Sequence, residues 1–114
     1  KKIFNLFSDN FITENLDVKI NTLSDFIDDN KLDKIDILKI DTEGHEFDIL
    51  KVLNTHHFAN INLIYFEHHY DLMLRKNYKF SDINKLLLSH NFKMIYKVKM
   101  NFRKTFEYIY VNQG

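Results

Sequence analysis

The stretch Ile35 to Leu53, IDILKIDTEGHEFDILKVL, constrains the fold most, because a short apolar run passes directly into an acidic, glycine-containing turn and then a helical pattern. Ile35, Ile37, Leu38 and Ile40 are dense enough to predict a buried strand. Phe47, Leu50 and Leu53, with Ile49 beside them, predict a helix from about Glu43 to Leu53. Glu43, Glu46 and Asp48 suit the positive end of its dipole. Open α/β sheets bind ligands at the carboxyl ends of their strands, and Asp41, Thr42, Glu43, Gly44 and His45 fall there.

The flanks extend the pattern. Ile61 to Glu67 (INLIYFE) predicts a second buried strand, so strand, helix and strand imply a right-handed parallel crossover. Upstream, Asp17 to Thr22 (DVKINT) reads as a short strand, followed by a helix that Thr22 and Asp25 start and Asp28, Asp29 and Asn30 end. His68 to Lys79 reads as a polar and aromatic connection. Ser81 then caps a helix with Ile83, Leu86, Leu87 and His90 on one side, which Asn91 stops in a left-handed conformation. Two alternating runs, Phe92 to Met100 and Thr105 to Val111, are joined by Asn101 to Lys104 as a hairpin. Residues 1–17 carry Ile3, Phe4, Leu6, Phe7, Phe11 and Ile12 without a clean period and form a poorly defined lead-in.

Bulk properties narrow the function. At 114 residues the chain is one domain at most, and eleven Phe with six Tyr provide ample apolar surface for collapse. Sixteen basic and sixteen acidic residues cancel, and only Arg75 and Arg103 are arginine, so nothing here tracks a nucleic-acid backbone. Cysteine is absent, which removes disulfides, thiolate nucleophiles and Cys-based metal sites. No apolar run approaches the roughly 20 residues of a membrane span, and no signal-peptide pattern occurs, so a cytoplasmic protein without a membrane partner is expected. The chain opens on Lys1 instead of Met, as a fragment would.

Leu38, Lys39, Ile40, Asp41, Thr42, Glu43 and Gly44, with Glu46 and the Ile49, Leu50 and Lys51 that follow, resemble the FkbM family of S-adenosylmethionine-dependent methyltransferases, whose hallmark reads LKIDVEGAE followed by VLKG. Asn21 to Phe26 resembles the TLDDF-like segment ahead of that hallmark, and Ile64 to Glu67 resembles the family's next strand, which ends in Glu. The final hairpin resembles the closing antiparallel strands of the family's sheet. Thr42, His45 and Val52 depart from the pattern, standing where Val, a small residue and Gly are usual. The resemblance implies an α/β fold: the carboxyl-terminal part of a Rossmann-like methyltransferase sheet, with parallel strands, crossover helices and a closing antiparallel hairpin over residues 18–111. In that family the Gly-rich cofactor turn precedes the part resembled here, and Gly44 and Gly114 cannot make a Gly-x-Gly turn. The 114 residues alone are therefore expected to bind the cofactor poorly and to be inactive.

The implied activity is methyl transfer from S-adenosylmethionine to a hydroxyl of a small molecule or sugar. Such a hydroxyl must lose its proton, and Asp41, Glu67, His68 and His69 are the candidate catalytic residues. Adjacent histidines in extended chain point to opposite faces, so at most one of His68 and His69 would enter the crevice unless the strand has ended. Glu43 and His45 are candidates for the substrate side. The blander account makes Asp41 and Glu43 complements of the helix dipole and His45 a solvated first-turn residue. His56 and His57 are read as solvated, and no fixed-spacing ligand motif supports a metal. The rival function is a non-catalytic α/β binding or structural partner module. The edge of Ile35 to Ile40 is expected to be covered by the amino-terminal segment or by a second subunit of a homo-oligomer.

Overall fold

The computed structural model describes residues 2–5, 12–70 and 76–114. Its elements are β1 (Lys2–Asn5), β2 (Ile12–Asn15), α1 (Leu23–Asp29), β3 (Ile35–Ile40), α2 (Glu46–Leu50), α3 (Thr55–Ala59), β4 (Ile61–His69), α4 (Phe80–Ser89), β5 (Phe92–Lys99) and β6 (Thr105–Asn112). Four strands form one sheet in the order β3-β4-β6-β5. β3 and β4 are parallel, with Ile35 opposite Ile61 and Ile40 opposite Phe66. β6 runs antiparallel to both of its neighbours, so β5 shares the direction of β4.

One face of this sheet holds the core. Ile64 and Phe66 of β4 and Tyr108 and Tyr110 of β6 are fully buried, as are Leu50, Phe58, Ile83 and Leu87 from the three helices α2, α3 and α4. Each such aliphatic or Phe side chain contributes about 1.5–3 kcal/mol relative to an exposed one. By strand alternation Lys39, Tyr65, Glu67 and Glu107 lie on the other face, where Ile37, Tyr96 and Val98 remain exposed. Asn91 ends the turn after α4 at φ 68°, the left-handed stop its sequence predicts.

Several expectations need correction. Asp17 to Thr22 makes no strand, because no ladder partner meets it, and Val18 and Ile20 are exposed. The helix expected over 43–53 is shortened to Glu46–Leu50, since Glu43 (φ 52°) and Gly44 (φ 113°) take left-handed backbone that a helix cannot contain. β4 runs two residues further than expected, through His68 and His69, because β6 pairs with it up to Thr105. α4 is capped by Lys79, whose N–H donates to the Asp82 carboxylate at 2.8 Å, and not by Ser81. The lead-in holds an unforeseen pairing of β1 with β2, while Leu6, Phe7 and Phe11 lie outside the described residues, as does Arg75. β1 and β2 make a separate two-stranded sheet and do not cover β3, which among the described strands pairs with β4 alone.

Candidate functional site

β3 delivers the chain into a turn that a buried carboxylate holds in shape. Gly44 sits at φ 113°, a conformation L side chains rarely adopt. The Glu46 side chain folds back under the turn, fully buried, and accepts the Gly44 N–H at 3.1 Å and the Thr42 N–H at 3.3 Å. Its other partner is the Tyr78 hydroxyl at 2.5 Å, which ties the turn to the segment ahead of α4. Burial alone would push the Glu46 carboxyl up, but the bonds from Tyr78 and the backbone N–H groups outweigh it and hold the group below its ordinary value. The sequence suggests only dipole complementation for Glu46. The overlooked signal is a Glu two residues past a Gly in a left-handed turn.

Asp41, Glu43 and His45 all stand exposed on this turn. His45 occupies the position before α2 without capping it, and its Nδ1 lies 3.5 Å from Asp48. Gly44, His45 and Asp48 line a shallow cleft with Lys76 and Asn77. The Thr42 hydroxyl oxygen is buried and has no hydrogen-bond partner.

The neighbouring strand end carries a like-charge pair. Glu67 of β4 stands directly opposite Glu107 of β6, a like-charge cross-strand pair that costs stability. Burial, then Asp41, then Glu107 push the Glu67 carboxyl up, against the smaller pull of His69 and Lys39. Tyr65 donates to Glu107, and that bond, with burial, raises the Tyr65 phenol to about 12. Lys39 Nζ lies 5.2 Å from the Tyr65 ring centroid. His69, nine-tenths buried, shares a 3.0 Å hydrogen bond with the Thr105 hydroxyl through Nδ1. Its Nε2 has no hydrogen-bond partner and faces Glu67 Oε2 at 3.9 Å. Glu107 escaped the sequence reading because only the β4–β6 register brings it beside Glu67.

His68 stands on the opposite face. Its ring packs against Tyr70 at 4.6 Å and against Tyr78 and Phe80 at 5.7 Å, and burial lowers its pKa to about 4. Of the adjacent histidines, His69 shares a face with Glu67 and His68 does not.

The expectation of two solvated histidines holds for His56 and fails for His57, which is 3% exposed. Asn54 and His57 cap α3 reciprocally, each side chain accepting the other's backbone N–H. With Nδ1 so engaged, His57 Nε2–H donates to Asp28 at 2.7 Å, joining α3 to α1 at the far end of the sheet from Asp41. Among the described residues no three His, Asp or Glu side chains are arranged to hold a metal ion. No described helix is long and apolar enough to cross a membrane.

Comparison with known proteins adds a family to this geometry. No curated protein and no solved structure matches the chain significantly. The model of the methyltransferase FkbM domain matches residues 3–94, which takes in the lead-in, the acidic turn after β3 and both parallel strands. The match begins further upstream than the resemblance read from Val18 onward and stops inside β5. Its span covers most of the chain, and residues 1–114 therefore belong to the FkbM methyltransferase family.

Proposed function

We propose that this chain supplies the acceptor side of an S-adenosylmethionine-dependent O-methyltransferase crevice, formed at the carboxyl ends of β3 and β4. The sheet order, with a reversed strand between β4 and β5, supports a half of a Rossmann-like methyltransferase sheet. The observation that carries the reading is the cluster at those strand ends: Asp41 lies close enough to raise Glu67, and His69 faces the same carboxylate. A carboxylate moved toward neutrality in a partly buried site suits general-base work.

The cofactor, when bound, supplies an electrophilic methyl group. At this strand end the unpartnered Thr42 hydroxyl would meet a polar group of its methionine end, Asp41 being left to the acceptor. The two glycines of the chain make no Gly-x-Gly turn for the remainder, and the 114 residues alone are expected to bind it weakly. Asp41 and Glu67 orient an acceptor hydroxyl and take its proton, Glu43 and His45 line the outer rim, and His69 faces Glu67 on the same side of the sheet. His68, buried among aromatic rings, supports the fold of this region. The acceptor is a small molecule or sugar and not a nucleic acid, in keeping with a formal net charge of zero.

The test is methyl transfer by the full-length protein on a panel of sugars and hydroxylated metabolites. Wild type should methylate at least one acceptor, and Asp41→Ala should lose about a hundredfold or more in rate. Undiminished transfer by Asp41→Ala would contradict the assignment.

A further inference from the structure

The Glu67–Glu107 pair is not explained by the fold, and a base needs only one carboxylate. Two like charges directly opposite one another cost stability, and the sheet would gain by replacing either one. The nearby cations compensate the pair only in part. Lys39 Nζ is drawn over the Tyr65 ring, and His69 Nε2 stays at 3.9 Å from Glu67, beyond hydrogen-bond reach.

His69 identifies what is missing. Its Nε2, nine-tenths buried and without a hydrogen-bond partner, faces the pair at 3.9 Å from Glu67. With Nδ1–H donated to the Thr105 hydroxyl, the tautomer that a bound donor would select, Nε2 presents its lone pair to the cluster. Glu67, Glu107 and His69 Nε2 thus offer three acceptors on one face of the sheet, with the Tyr65 hydroxyl the donor already engaged there. Tyr65, by donating to Glu107, orients that carboxylate without neutralising it.

We infer that Glu67, Glu107 and His69 form a subsite for a protonated primary amine, so that the methyl acceptor is an amino alcohol such as an amino sugar. An ammonium group has three N–H donors and one positive charge, which matches three acceptors in an incompletely compensated carboxylate pair and its neighbouring imidazole. A divalent cation would need its ligands drawn to about 2.0–2.5 Å of one point, and no such grouping of side chains exists among the described residues. With the ammonium held there, Asp41 and the second oxygen of Glu67 remain for the neighbouring hydroxyl. This inference rests on the acceptor-side reading above.

The experiment is calorimetric titration of the full-length protein at neutral pH with glucosamine and with glucose, which differ by an ammonium in place of one hydroxyl. Cofactor binding is measured in parallel. Glucosamine should bind about tenfold or more tightly than glucose, and Glu107→Gln should abolish that preference while leaving cofactor affinity unchanged. Thr105→Val, which frees His69 to turn, should weaken glucosamine alone. Equal affinity for the two sugars, or an undiminished preference in Glu107→Gln, would overturn the inference, as would magnesium or manganese binding that Glu107→Gln removes. Amine preference without cofactor binding would sustain the subsite and refute the methyltransferase reading instead.

Discussion

Replacing Glu46 should cost more stability than replacing any other charged residue described. Its carboxylate is fully buried and accepts from the Tyr78 hydroxyl, the Gly44 N–H and the Thr42 N–H. Glu46→Ala strands those donors. Each buried unsatisfied donor costs about 1–3 kcal/mol, and water can reach the partly buried Thr42 N–H, so a loss of about 3–5 kcal/mol follows. Against a total of about 5–15 kcal/mol for an ordinary domain, that is a large fraction. Glu46→Gln keeps the shape and one acceptor oxygen and should cost about 1–2 kcal/mol, as should Tyr78→Phe. The double variant should cost less than the sum, because both remove the same bond. Since the folded Glu46 carboxyl lies below its ordinary 4.5, its contribution is full above pH 4.5 and is lost as pH falls through the folded value. Glu46→Gln should flatten that acid limb. Urea unfolding followed by circular dichroism and tyrosine fluorescence, in a chain with no Trp, measures each term. Glu46→Ala within about 0.5 kcal/mol of wild type would refute the reasoning.

Further expectations follow from the same geometry. His68, lowered to about 4 by burial, should stay neutral down to about pH 5 by NMR. Stability should then decline as pH falls from 6.5 toward 4, and His68→Phe should remove that decline; an unchanged pH profile would contradict it. His57→Ala, which breaks the α3 cap and the bond to Asp28, should cost about 2–3 kcal/mol in urea unfolding, whereas His56→Ala should cost almost nothing. Glu107→Gln should stabilise the chain by about 0.5–1 kcal/mol in the absence of ligand, and a destabilised variant would mean the pair is already compensated. If a second subunit covers the β3 edge, Ile37→Lys should shift the protein toward monomer in sedimentation, and a wild type monomeric at every concentration would remove that subunit.

What the sequence conveys divides by the range of the interactions involved. β3, most of β4 and the β5–β6 hairpin are legible because apolar runs and alternation are local, and Asn91 because its left-handed stop is. α2 is overextended because its period continues through residues whose backbone the turn has already committed elsewhere. α3 escapes notice because five residues carry too little periodicity, although its Asn54 cap stands in plain view. The acidic turn is legible as a site, but its support is not: Tyr78 lies 32 residues from Glu46. Glu107 is likewise invisible until antiparallel register puts it opposite Glu67.

In the proposed function the strand-end carboxylates serve methyl transfer. The most direct measurement is transfer of labelled methyl from S-adenosylmethionine by the full-length protein and its Glu67→Gln variant, with cofactor affinity measured on both. Glu67→Gln should lower kcat by about a hundredfold, leave cofactor affinity within about twofold, and lose the alkaline rise of the wild-type pH profile. Transfer by Glu67→Gln at the wild-type rate and with the same pH profile would contradict it.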